Sequence, residues 1–510
     1  MSKTTPKIPM APAPAPAGGS PAKRVLALLL YLALSVHLVL AARVLVNQIS
    51  SDVVLEVGDS FYMQTYVQYS RGQHNYYDAD PHLLSGGYTP LAGEIFGLAI
   101  RVFGSDVRVV RGVSALFGIG VIFLAAQSVF VLTRSRLLAF AAFCLGFSLE
   151  PKWFLEIGPN VIHVFFLMAA IRLLLGAPAE RFKTAYYLLG ALFVFLSFWA
   201  KQTGLAYMPV YLFCVWFKDR KSAVLSLLLM AGLMAVGFWR YIHLPDSKFI
   251  YYVFQNANQP LIWERLADPI FFPLLFGRFC LLVALAGIGL ILCIDRFRQL
   301  LAPQFVFLGA TGGIGLLTSL KYGSGMNQAW AFYVLLLVNA LYFGHRLAAQ
   351  GTLAPGVLHG LLAVQACCLF QPLGALLINR EDEQRFAWLQ RVLTTPGKST
   401  YYINQGYLTD RWKGDRNADV RYDCWKNGVY DRSVYPARLR EFVESDPFDL
   451  VVIDVPLEDG SFVLYERLNA AYEMKYELPP ASRFADRGSL RYKKIVFEKK
   501  PAAAGPGARQ

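Results

Sequence analysis

The chain is 510 residues long, 55% hydrophobic and only 16% charged, with a mean hydropathy of +0.39 and a formal net charge of +14. Soluble domains carry about a quarter charged residues, so this balance excludes a wholly water-soluble enzyme, disorder throughout, a coiled coil and a collagen-like rod. Residues 1–378 hold 27 Lys and Arg against 15 Asp and Glu (net +12), whereas residues 379–510 hold 22 against 20 (net +2), which predicts a membrane domain followed by a soluble one.

Residues 1–24 are rich in Pro, Ala and Gly and are expected to form a disordered cytoplasmic N-terminus. The apolar stretch 25–47 is too long for a signal-peptide core and reads as an uncleaved first span. A long outer loop, 48–106, follows. In it Asp59 opens a helical pattern of Phe61, Tyr62, Tyr66 and Tyr69, and from spacing alone it reads as the N-cap of that helix. The segment 91–103 is too short to cross a bilayer and carries Glu94 and Arg101, as an interfacial helix does. Further apolar stretches are centred near 120, 142, 166, 192, 210, 232, 286, 311, 336 and 365, giving about eleven spans within 25–378. The tail, 379–510, is charged and aromatic. Its strand patterns at 448–454, 472–478 and 490–498 and helical patterns at 436–446 and 462–472 predict a small extracytoplasmic α/β domain. The fold expected is thus an all-α polytopic membrane domain with a small C-terminal α/β domain.

Loop charge sets the orientation. With the N-terminus in the cytoplasm, the loops around Arg134 and Arg136, 172–183, 218–221, 295–298 and 345–346 fall inside, and each is short and basic. The alternate loops and the tail fall outside. A plasma (inner) membrane location follows, and the pI near 9.3 reflects topology, not nucleic-acid binding. The seven cysteines, six of them in apolar segments, read as packing residues. The chain contains no GxGxxG, P-loop, HExxH or CxxC.

The outer loops gather mixed polar residues: Asp59, Asp78, Asp80, Tyr88, Glu150, Lys152, Glu156, Asn160, Lys201, Gln202, Lys321 and Asn327. One such residue at a span end is a cheap interfacial anchor. Four loops presenting them on one side predict a shared polar cavity. His74 and His82 share a loop with Asp78 and Asp80, but the spacing is not that of a metal site. His163, within a span, and His243, at a span end, are expected to hydrogen-bond locally.

An acidic residue opening a long outer loop after the first span, then Tyr88-Thr89-Pro90, then many spans, resembles the GT-C fold of polyprenyl-phosphate-sugar-dependent glycosyltransferases. The likeness is to bacterial relatives of protein O-mannosyltransferases and lipid A aminoarabinose transferases. Lys201-Gln202-Thr203-Gly204-Leu205 and Gly323 to Gln328 are similar to elements of such proteins. The resemblance implies that Asp59 is the catalytic carboxylate. This chain departs from the family in Asp59-Ser60, where relatives often have Asp-Glu. It departs again in Tyr88-Thr89-Pro90, where some have Lys-Pro-Pro, and in Asn160, where some have Asp, leaving Glu150 or Glu156 to compensate. A divalent metal is left open.

What the resemblance implies is an inverting transfer of a monosaccharide from a polyprenyl-phosphate carrier to a lipid, glycan or protein acceptor. Asp59 would take the acceptor proton, and Lys201, Lys152, Arg278 and Lys321 would stabilise the departing phosphate. Tyr88 and Asn327 would line the sugar pocket. A lipid-linked glycan polymerase or ligase is the nearest rival. A transporter or flippase predicts internal repeats, which are not evident, and a mere anchor needs neither so many spans nor polar residues gathered on one side.

Overall fold

The computed structural model describes residues 21–53, 57–73, 88–147, 149, 157–177, 182–245, 247, 249–255, 261, 263, 280–292, 301–320, 329–368, 377–402, 449–455, 472–478 and 493–500. The helices in chain order are α1 (Pro21–Ser50), α2 (Val57–Ser70), α3 (Leu91–Phe103), α4 (Val107–Thr133), α5 (Arg136–Gly146), α6 (Asn160–Gly176) and α7 (Lys183–Ala200). A 3-10 turn (Gln202–Ala206) then leads to α8 (Tyr207–Lys218), α9 (Arg220–Ile242), α10 (Cys280–Ile291), α11 (Pro303–Ser319), α12 (Trp330–Ala349), α13 (Pro355–Cys368) and α14 (Arg380–Leu393).

Helices lie on each of the apolar stretches picked out by sequence. Among the described residues, five are long and apolar enough to cross a membrane: Arg24–Ser50, Val107–Thr133, Lys183–Ala200, Arg220–Ile242 and Trp330–Ala349. α1 begins at Pro21, ahead of the expected boundary at 25. Asp106 caps α4 by accepting from Arg108 N, and Ser135 caps α5 by accepting from Leu138 N. Between them Arg134 adopts a left-handed φ of 58°, which ends α4.

α12 is the central helix. It packs on α10, α11 and α4, and Trp330, Tyr333, Leu337 and Leu341 are all buried. α1 and α9 lie at the periphery and turn Leu32, Val39, Val46, Leu228, Val236 and Trp239 outward. An apolar face with no protein against it belongs to a helix in lipid. Five described cysteines are free. Cys144 and Cys214 pack as expected, but Cys280, Cys367 and Cys368 are exposed on helix surfaces and are not packing residues.

The expected interfacial helix is α3. It buries Ala92, Phe96 and Ile100 on one side and exposes Leu98, Val102 and Phe103 on another. Gly93 and Gly97 let it press against α2: a Cβ at either position would sit within 2.7 Å of a Tyr69 side-chain atom.

Beyond α14 is a four-stranded sheet of β1 (Thr400–Tyr402), β2 (Leu450–Val455), β3 (Tyr472–Leu478) and β4 (Lys493–Lys499), in the order β1-β2-β4-β3. β1 and β2 are parallel, and the other two pairings are antiparallel. The strands read at 448–454, 472–478 and 490–498 correspond to β2, β3 and β4. The helices expected at 436–446 and 462–472 fall almost wholly outside the described residues. α14, which the sequence reading passed over, starts with a capping box between Asn379 and Asp382.

Candidate active site

The site is built where helix ends converge. Arg111, in the first turns of α4, is fully buried. Its guanidinium donates to the carbonyls of Gln48 (3.3 Å), Ser51 (3.1 Å) and Val53 (2.7 Å). The C-terminal end of α1 lacks intrahelical donors and carries partial negative charge, so a buried arginine both caps it and anchors the chain leading into α2. Asp59 lies in the first turn of α2. The helix begins at Val57, so Asp59 is the third helical residue and not the residue ahead of the helix that a cap would be. Its side chain lies outside the described residues.

Along α2, Tyr62, Tyr66 and Tyr69 follow at helical spacing. Tyr62 donates to the Tyr88 hydroxyl at 3.2 Å, and Tyr66 donates to the carbonyl of Ile157 at 2.6 Å. These tyrosines, with Thr65, Thr89, Ala92, Gly93 and Pro159, enclose a gap of about 20 Å³. That is room for a water molecule.

Lys201 stands at the break between α7 and the 3-10 turn and is 3% exposed. Its ammonium donates to Asn160 Oδ1 at the start of α6 and lies 5.8 Å from the centre of the Tyr88 ring. An amide oxygen and an aromatic face each hold a cation favourably. The Lys201-Gln202-Thr203-Gly204 order has a steric reason. The 3-10 turn folds back on α7 so tightly that a Cβ at Gly204 would lie 2.4 Å from Phe198 N and 2.6 Å from the Ser197 carbonyl carbon. Only glycine permits that turn.

Two side chains from other elements reach the end of α7. Thr89 Oγ1 donates to Phe198 O at 2.8 Å, and His163 Nδ1 lies 2.8 Å from Ser197 Oγ and 3.1 Å from Ser197 O. His163 therefore bonds across two helices, contrary to the local bond expected of it. His243 does bond locally, to Trp239 O at 3.0 Å. On the far side of α3, Tyr241 donates to Glu94, and Arg240 lies 3.6 Å from the same carboxylate.

Of the residues nominated by sequence, Tyr88, Asn160 and Lys201 are brought together, with Asp59 in the helix that carries their tyrosine partner and Gln202 next to Lys201 in the turn. Glu150, Lys152, Glu156, Arg278, Lys321 and Asn327 lie outside the described residues, as do His74, Asp78, Asp80 and His82. Sequence reasoning missed Arg111, Thr89 and Ser197. Arg111 had a signal, an ionisable residue in an apolar stretch.

Among the described residues no cluster of His, Cys, Asp or Glu fits a metal ion. Divalent cations favour carboxylate and carbonyl oxygens, whereas this part of the site offers an ammonium, phenols and an amide oxygen already bound by that ammonium. The described residues do not fit a divalent metal.

Solved structures share this architecture. ArnT from Cupriavidus metallidurans in the apo state matches with a TM-score of 0.57 and 14% identity, over 93% of this chain and 98% of that one. The same protein bound to undecaprenyl phosphate matches at 0.52 and 14%, over 95% and 100%. The Archaeoglobus fulgidus oligosaccharyltransferase, in complex with Zn and sulfate, matches at 0.55 and 13%, over 84% and 68%. No protein-family model matches the sequence, and no curated protein matches it. The chain has the GT-C fold and is a multi-pass membrane protein.

Proposed function

We propose that the protein is a membrane glycosyltransferase that moves a monosaccharide from a polyprenyl-phosphate carrier to an acceptor hydroxyl outside the cytoplasm. The observation that carries this reading is the buried Lys201 ammonium, set by Asn160 beside Tyr88, at the end of the bundle where α2 brings Asp59. Neighbours of the same fold bind undecaprenyl phosphate and, in another complex, dolichol-phosphate with an inhibitory peptide. A phosphate next to a buried, pre-positioned cation is stabilised far more than in water.

In the reaction the acceptor oxygen attacks the anomeric carbon, and the bond from that carbon to the phosphate oxygen breaks. The bonding electrons leave with the polyprenyl phosphate, whose charge Lys201 offsets. Asp59 takes the acceptor proton. One displacement inverts the anomeric centre.

The purified protein in lipid bilayers tests the reading. Supplied with a polyprenyl-phosphate monosaccharide and envelope acceptors, it should transfer the sugar and release polyprenyl phosphate. A radiolabelled nucleotide sugar with no lipid carrier should transfer nothing, and efficient transfer from it would overturn the assignment.

A further inference from the structure

Two polar rungs join α6 to α7, one turn apart. The first is Lys201 to Asn160. The second pairs His163, three residues after Asn160, with Ser197, four residues before Lys201. His163 is 5% exposed and Ser197 is fully buried. Water therefore offers little substitute if the second rung is lost. The Ser197 carbonyl also accepts the Lys201 backbone N–H at 3.1 Å, so the His163 ring and the Lys201 main chain meet at one oxygen. Nδ1 carries at most one hydrogen. It either donates to that carbonyl or accepts from the Ser197 hydroxyl, and both arrangements tie His163 to the residue that fixes where α7 stops. Thr89 holds the next carbonyl, that of Phe198.

We propose that His163 is a positioning residue for Lys201. It acts through Ser197 to fix the last turn of α7 against α6, so that the lysine leaves the helix aimed at Asn160 and at the donor phosphate. This rests on the reading of Lys201 as the phosphate-binding cation. A histidine that only filled space would be replaceable by any ring of similar size. A positioning histidine depends on the atom at Nδ1, which asparagine can supply from the same backbone site and phenylalanine cannot.

The test is binding of sugar-free polyprenyl phosphate to the purified protein, with melting temperature measured in the absence of that lipid and kcat and KM for donor and acceptor measured separately. His163→Phe should weaken binding about tenfold, the effect of one lost buried hydrogen bond. Donor KM should rise while acceptor KM stays level, and His163→Asn should restore most of the affinity. Ser197→Ala, which keeps the carbonyl, shows which of the two bonds matters. In a double-mutant cycle with Lys201→Met, the His163→Phe effect should vanish, because a lysine that is absent cannot be misplaced. Wild-type binding by His163→Phe overturns the proposal. So does equal impairment of the Phe and Asn variants, or losses that multiply in the double variant. If Lys201→Met itself binds the lipid phosphate normally, the phosphate reading of Lys201 fails first, and that outcome is distinct from a silent His163→Phe beside an impaired Lys201→Met.

Discussion

Asp59 is the third residue of α2, where the unpaired N–H groups and the helix dipole favour a carboxylate. Losing that charge costs about 0.3–1 kcal/mol, whereas a general base contributes about 10²–10⁴ in rate. The two roles differ enough in size to be separated by one substitution. Asp59→Asn keeps the side chain's shape, so the variant should insert, melt close to wild type and bind polyprenyl phosphate, yet turn over at least about a hundredfold more slowly. Asp52→Asn, on an exposed residue two positions past the end of α1, is the control and should be near wild type. Full turnover by Asp59→Asn leaves the residue only its place at the helix dipole. Sequence showed Asp59 as a polar residue opening a helix, but it misjudged the helix start. Residues before an N-terminus and inside a first turn share the same preferred side chains, and the pattern from Phe61 onward does not separate them. Arg111 was missed although it stands as a charge in an apolar stretch, and what it holds left no trace, since its partners are carbonyls 58 to 63 residues away that carry no side-chain signature.

At the scale of elements, the turn after α7 decides where Lys201 points. Gly204→Ala places a methyl group 2.4 Å from a backbone nitrogen, and backbone cannot yield as a flexible side chain would. The turn should open and carry Lys201 away from Asn160. Donor binding and turnover should then fall together, while the helices of the bundle remain, as circular dichroism would report. The Lys-Gln-Thr-Gly order was legible as a motif, but its steric reason needed the fold, because the clash is with α7's own last turn. The sheet has its own device. Asp449 accepts from the Ser399 N–H at 2.6 Å and its hydroxyl at 2.9 Å, and these bonds, the backbone one foremost, hold its pKa below the ordinary carboxylate value. A carboxyl lowered in the folded state stabilises it above the unfolded pKa, about 3.9, and that contribution is lost as pH falls further through the folded value. Acid should therefore loosen the β1–β2 junction from about pH 4 downward. Asp449→Asn should flatten this part of the acid profile, followed by hydrogen exchange of the β1 and β2 amides. β2, β3 and β4 were readable from alternating and apolar runs; three-residue β1 was not, since so short a strand is defined by its partner Leu450–Val452 and has no pattern of its own.

For the whole molecule, the question is which end of the bundle faces outward. One end collects Arg111 with the close of α1, Lys201 with Asn160, and Tyr241 with Glu94. Where α6, α7, α8 and α9 end or begin at the other side, Lys218 donates to Leu174 O at 2.8 Å and Lys183 to Lys218 O at 3.1 Å. Asp219 there lies 4.0 Å from Lys183. The second end is the basic one, and the positive-inside rule predicts that it faces the cytoplasm. The alternation of loop charge was legible because charge is carried by the residues themselves. Which polar groups meet was not legible, since distances between loops depend on how helices pack. The chain returns to the first end before the sheet: Asn47 near the close of α1 donates to Ile378 O at 3.2 Å and accepts from Ile378 N at 2.7 Å. α14 and the sheet therefore start from the same end as Lys201 and Asp59, opposite the start of α1. A reporter that works only outside the cytoplasm should be active when fused after Lys500, and one that works only inside should be active at the N-terminus. The Asn47→Leu variant, which removes both bonds at Ile378, should leave this orientation unchanged, because loop charge and not the Asn47 contact sets it. Cytoplasmic activity of the fusion after Lys500 in the unaltered protein would put the sheet and the Lys201 site on the inside, where nucleotide sugars are available, and would remove the reason for a lipid-carried donor.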